Sequence, residues 1–150
     1  MMAGRSEVVR FARGWIGTPY RHQAAQRDAG TDCLGLVRGV WREVVGSEPE
    51  AIPAYSEDWS EPQGDERLWS AARHHLIERS DRADWFDAGS VVLFRMRNGS
   101  VAKHLGIVTA NGKTPTFVHA YSRYGVVESP LSTPWRRRVV ACFDFPLEQI

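Results

Sequence analysis

Residues Asp32–Val45 read DCLGLVRGVWREVV, and this stretch decides how the chain is interpreted. Leu36, Val37, Val40, Trp41 and Val44 recur at three- and four-residue spacing, the signature of one buried helical face. Thr31 or Asp32 offers a cap for the first turn and Gly46 a stop, which predicts a helix from about Asp32 to Val45. Cys33 therefore stands in the first turn of a core helix. Unpaired backbone N–H groups and the positive end of the helix dipole favour a thiolate there. Helix position alone fits a small buried packing cysteine equally well.

Upstream, Ser6 to Trp15 reads as a short helix with Ser6 as its cap and Val8, Val9, Ala12 and Trp15 near one face. Gly17-Thr18-Pro19 stops it, because proline disfavours helix in the residue before it. Residues 20–31, YRHQAAQRDAGT, form a polar ordered loop. Downstream, residues 47–65 are rich in Pro, Ser and acidic groups and read as a long surface connection of a length that often carries function. A third helix is expected near Glu66 to Arg79, with Leu68, Trp69, Ala72 and Leu76 on its inner face. After Trp85 the texture changes to short apolar or β-branched strands: Val91–Met96, Leu105–Ala110, Pro115–Tyr121, Val126–Ser129 and Arg138–Phe145. Asn98-Gly99 and Asn111-Gly112 between them are hairpin signals. Helices first and an antiparallel meander afterwards is the α+β pattern, and residues 1–150 read as one domain.

The bulk properties narrow the function. A net charge of +1 over 150 residues lacks the basic surface of a nucleic-acid binder. No apolar run reaches the length of a membrane span, so neither nucleic acid nor membrane is an expected partner. Charges at Arg5, Glu7, Arg10 and Arg13 interrupt the N-terminus and leave no signal-peptide apolar segment. Work outside the cytoplasm would then need another carrier. Two cysteines, Cys33 and Cys142, are too few for a disulfide scaffold or a structural zinc site. Cys142 lies in an alternating strand and reads as packing. His74-His75 is expected to diverge on a solvated helix surface, and Arg136-Arg137-Arg138 to be a charged strand start.

Two further segments bear on Cys33. Lys103-His104-Leu105-Gly106-Ile107-Val108 brings a histidine into a strand, and Phe117-Val118-His119-Ala120-Tyr121 brings another into the next. A general base needs hydrogen-bond reach to the nucleophile and a third group to fix its tautomer. In a tight hairpin centred on Asn111-Gly112, His104 falls opposite His119, with side chains on one face roughly 5 Å apart. A bulge or a longer loop at Lys113-Thr114-Pro115 would shift that register.

With these blocks in view the sequence resembles the NlpC/P60 family, and most closely its phage-associated cell-wall peptidase branch. Trp15-Ile16-Gly17-Thr18-Pro19-Tyr20, Asp32-Cys33-x-Gly35-Leu36-Val37, Asp87-Ala88-Gly89-Ser90 and His104-x-Gly106-Ile107-Val108 carry the resemblance, in family order. It implies a papain-like fold with N-terminal helices packed on a C-terminal antiparallel sheet. It further implies Cys33 as nucleophile, His104 as base, His119 as orienter and Tyr20 as a substrate or oxyanion contact. Asp32 would accept hydrogen bonds from a substrate amine, although helix capping explains it as well, and His22 would line the cleft. The implied reaction is hydrolysis of a peptidoglycan stem peptide, at the bond from D-glutamate's side-chain carboxyl to the diamino acid, without metal or cofactor. The same branch implies tail hub or baseplate proteins as partners and a tail particle as carrier. Two departures stand out: Leu34 where many members have serine, and His22-Gln23-Ala24-Ala25 where glycines are common. A related Cys-His amidase or acyltransferase, and a non-catalytic tail subunit, are the alternatives.

Overall fold

The computed structural model describes residues 4–49, 54–56, 59 and 64–147. Its N-terminal part holds helix α1 (Arg5–Gly14), a small hairpin of β1 (Ala25–Gln26) and β2 (Gly30–Thr31), helix α2 (Cys33–Val44) and helix α3 (Arg67–His75). The remainder is β3 (Ile77–Glu78), β4 (Val91–Arg95), β5 (Ala102–Ala110), β6 (Thr116–Tyr121), β7 (Gly125–Pro130), a short helix α4 (Thr133–Arg138) and β8 (Val139–Asp144). The last six strands form one antiparallel sheet in the order β3-β8-β4-β5-β6-β7. Helices on an antiparallel sheet is the α+β architecture expected.

Apolar residues on both sides of the central strands explain why the sheet needs two covers. Leu93, Leu105, Ile107, Val118 and Ala120 meet Leu36, Val37 and Val40 of α2 and Val8 and Ala12 of α1. Val92, Phe94, Val108, Phe117 and Cys142 form a second core with Leu131 and Val139, against which Trp85, Phe86 and Trp135 pack. Strands covered on both faces read as near-continuous apolar runs, as β4 and β5 do. Trp15 crosses α2 at Gly39, where a Cβ would lie 2.0 Å from the indole. Cys33 and Cys142 are both free and belong to these two separate cores.

Several boundaries differ from the sequence reading. The first helix begins at Arg5, because the Gly4 carbonyl already accepts from the N–H groups of Glu7 and Val8, and Ser6 makes no cap. The polar 20–31 loop contains the β1–β2 hairpin. Helix α3 stops at His75 rather than Arg79, since Ile77 and Glu78 pair with Asp144 and Phe143 of β8. His74 and His75 meet edge to face, 4.7 Å between ring centroids, rather than diverging. The three arginines lie in α4, where Pro134 in the first turn starts a helix, and the strand begins only at Val139. Of the 47–65 connection, residues 50–53, 57–58 and 60–63 lie outside the described residues.

The β5–β6 register is the consequential correction. The connection spans Asn111 to Pro115, longer than a two-residue turn, and the pairing is bulged between Val108 and Ala110. Pro115 has no N–H to give a ladder. Ile107 faces Val118, which sets His104 opposite Tyr121 rather than His119. The slip is two residues, so every side chain keeps its face; a slip of one would have reversed them.

Candidate active site

Cys33 reaches its position through the β1–β2 hairpin. Asp32 caps α2 by accepting from the Gly35 N–H at 2.7 Å, and its other oxygen accepts from the Gln23 N–H at 2.7 Å and from the Tyr55 hydroxyl. Gly35 lies so close to the hairpin that a Cβ there would stand 2.0 Å from the Ala24 carbonyl oxygen. The motif glycine is thus a packing requirement that lets the helix start abut the loop. Cys33, 7 % exposed, directs its thiol toward the Lys103 carbonyl at 3.8 Å.

His104 enters from a bulge. Phe94 pairs with His104 and Arg95 with Ala102, so Lys103 is the extra residue of β5. Bulges beside a site re-aim side chains. Here Lys103 and His104, adjacent on one strand, line the same cavity. The His104 Nε2 lies 2.8 Å from the His119 Nδ1, and the His119 Nε2 lies 2.9 Å from the Ser129 Oγ. The pair is diagonal across the strands, as the two-residue slip requires. With Nε2 committed to His119, Nδ1 is the ring nitrogen of His104 left to serve the thiol. To accept a proton there, His104 must carry its own proton on Nε2 and donate it to His119. His119 is then protonated on Nε2 and donates to Ser129. The dyad is walled by aromatic rings: Trp135 lies 5.8 Å from His104 and 5.2 Å from His119, and Tyr121 lies 5.9 Å from His104.

Cys33 and His104 share a cavity of about 160 Å³ with Tyr20, His22, Asp32, Tyr55, Trp59, Met96, Lys103, Ala120, Tyr121 and Ser122. Every site residue read from the sequence except His119 therefore lines it, and His119 stands behind His104, fully buried. Asp32 is 2 % exposed, with its carboxylate already committed to three donors. His22 is 2.9 Å from the Tyr55 carbonyl and 3.8 Å from Asp32. Tyr55 and Trp59, stacked at 4.2 Å, come from the 47–65 connection and were not singled out in the sequence. Two aromatic residues in an otherwise acidic and Pro/Ser-rich stretch were the available signal. Lys103, Ser129 and Trp135 carried none. Tyr55 and Trp59 also border a larger apolar groove of about 720 Å³, which Leu34 and Leu105, the residues after Cys33 and His104, line with α3.

Burial governs the charges. Desolvation, followed by the Asp32 carboxylate, pushes the Cys33 thiol up to about 12, against the pull of the backbone N–H groups of Leu105 on β5 and then of Leu34 and Cys33 at the helix start. Desolvation, followed by repulsion from His119, drives His104 down to about 3, and desolvation drives His119 down to about 4. The resting pair is a neutral thiol beside a neutral imidazole. This corrects the thiolate expected from helix position alone: the dipole effect fades within one turn and loses to the cost of burying a charge. Among the described residues, no group of three or more His, Cys, Asp or Glu side chains is placed to hold a metal ion.

The NlpC/P60 family model matches residues 17–143. No curated protein matches in sequence. A solved NLP/P60-family protein similar to a lipoprotein, from Staphylococcus aureus subsp. aureus Mu50, superposes with a TM-score of 0.57 at 20% identity, over 93% of this chain and 41% of that one. The NlpC/P60 domain of the peptidoglycan hydrolase SagA gives 0.57 at 23% identity, over 95% of this chain and 100% of that domain. Ly7917, solved with the hydrolysing product of MDP, gives 0.60 at 16% identity, over 95% and 63%. The chain thus spans about two fifths of the staphylococcal protein and under two thirds of Ly7917. These likenesses bear out the papain-like fold expected.

Proposed function

The chain belongs to the NlpC/P60 family, and from that premise we propose that it is a cysteine endopeptidase of bacterial peptidoglycan. Cys33 is the nucleophile, His104 the base and His119 its orienter. One observation carries the assignment: His104, tied by its Nε2 to the buried His119 at 2.8 Å, lines the same small cavity as Cys33. That is the nucleophile, base and orienter relation of acyl transfer.

His104 takes the thiol proton as sulfur attacks the amide carbonyl, so no thiolate has to persist in the dry cleft. The tetrahedral oxyanion is met by the Cys33 N–H and the Tyr20 hydroxyl. His104 returns its proton to the departing amine, leaving a thioester. Water, deprotonated by His104, then releases the acid and restores the thiol. The bond proposed is the amide between the D-glutamate side-chain carboxyl and the diamino acid. Muramyl-peptide chemistry in a relative supports this substrate class, since Ly7917 was solved with a product of MDP.

Digestion of purified peptidoglycan, with product masses, tests the reading. Wild type is expected to release new diamino-acid amino termini and Cys33→Ala none. Equal inactivity of both would favour a non-catalytic subunit, and cleavage at the sugar–alanine amide an amidase. We propose further that the protein acts in the cell wall, carried on a phage tail or tail-like particle and docked to hub or baseplate proteins. The resemblance of the sequence to the phage-associated branch of the family supports this. Tagged protein found free in the cytosol and absent from purified particles would overturn it.

A further inference from the structure

Tyr124 is the most exposed large apolar side chain among the described residues, with 69 % of its surface in solvent. Its ring stacks on Tyr121, 5.6 Å between centroids and 11° between planes. Tyr121 in turn lines the catalytic cavity together with Ser122, and its ring lies 5.9 Å from that of His104. Two near-parallel tyrosines thus lead from the cleft wall out to the surface. The turn that carries them is fixed. Tyr121 pairs with Gly125, and the Tyr124 N–H donates to the Tyr121 carbonyl at 3.0 Å. Arg123 takes a left-handed backbone (φ 77°), uncommon for a long side chain and a form of strain found at ligand-binding turns. Gly125 lies so close to the Thr18 carbonyl oxygen that a Cβ would stand 2.5 Å from it. A ring held this way needs little further ordering to engage a ligand.

An aromatic face offered to solvent selects a ligand with an apolar face of its own. Alanine, γ-linked glutamate and the diamino acid have none, being small or charged. The glycan that bears the stem peptide does, because C–H groups line the faces of its hexosamine rings. The spacing agrees. With attack at the D-glutamyl side-chain carbonyl, an extended L-alanyl-γ-D-glutamyl arm and its lactyl link span roughly 10 Å. Tyr124 stands two ring spacings, of 5.9 and 5.6 Å, from His104. We propose that Tyr124, backed by Tyr121, is a subsite for the hexosamine that carries the stem peptide, so that the enzyme favours peptides still attached to glycan over released ones. This role rests on the γ-glutamyl reading of the cleaved bond, which puts the glycan on the acyl side of the attacked carbonyl.

The test uses two synthetic peptides, N-acetyl-L-Ala-γ-D-Glu-diamino acid and the same peptide with N-acetylmuramic acid in place of the acetyl group. Both have a blocked amine, so the comparison isolates the sugar. The kcat/KM ratio is measured for wild type, Tyr124→Ala and Tyr124→Phe. Stacking of one sugar on one ring predicts a wild-type preference for the muramyl peptide of roughly three- to tenfold. Tyr124→Ala is expected to reduce that ratio to about one, and Tyr124→Phe to keep most of it. A ratio is independent of the fraction of enzyme folded. Equal cleavage of both peptides by wild type, or an undiminished preference in Tyr124→Ala, would overturn the subsite and leave the cleaved bond standing. Cleavage of neither peptide by wild type would overturn the bond assignment, and the subsite with it.

Discussion

The neutral histidine pair makes acid stability a direct measure of the site. In the fold His104 titrates at about 3 and His119 at about 4, whereas an unfolded chain protonates imidazole near its ordinary value of about 6.5. Between these values the unfolded state binds protons that the folded state refuses, so stability falls as pH falls. The sign is that of a depressed folded value: the contribution is complete above about pH 6.5 and lost on acidification. Going from about pH 7.5 to about pH 5, each histidine costs about 2 kcal/mol and the pair about 4 kcal/mol. Glutamine at both positions keeps amide donors and acceptors in the chain and removes the titration. Urea unfolding at the two pH values is the assay, with the pH difference compared between proteins rather than the absolute stability. Wild type is expected to lose about 4 kcal/mol more than the His104→Gln/His119→Gln variant over this interval, and each single variant about half the excess. An identical pH difference in wild type and double variant would refute the claim that burial holds both rings neutral.

Further outcomes follow from the same geometry. Gly35→Ala drives a methyl to within 2.0 Å of the Ala24 carbonyl oxygen, and is expected to cost about 1–3 kcal/mol or more. A thermal melt reads this, and an unchanged Tm would contradict the packing role. With His104 neutral down to about 3, the acid limb of kcat/KM should lie well below the ordinary imidazole value of about 6.5. A limb at that value would mean a solvated base. Ser129→Ala removes the partner of the His119 Nε2. It is expected to lower kcat about tenfold with little change in KM, while Ser129→Thr retains activity. A loss confined to stability, with an unaltered rate per folded molecule, would make Ser129 merely structural.

The helix face of Leu36, Val37 and Val40, and the cysteine at its start, were legible because three- and four-residue spacing is a local property of the chain. The faces of β5 and β6 were legible for the same reason, so His104 and His119 do meet on one face, although diagonally and not directly opposite as expected, the register being two residues off. That slip came from a five-residue connection and a bulge, both consequences of Pro115 and of pairing with neighbouring strands. Tyr55 and Trp59 stack against one another and line the cleft with Cys33 and His104, far from both in the chain. The end of α3 was decided by β8, whose pairing with Ile77 and Glu78 outcompetes a further helical turn. The protonation state of the site lay furthest from the sequence. Helix position argues for a thiolate, but whether a charge survives depends on how much water the assembled walls exclude. The sequence by itself determined which residues are present and which face each one takes. Tertiary structure decided their register, their seclusion and hence their charge, because desolvation is a property of the packed whole and not of any segment.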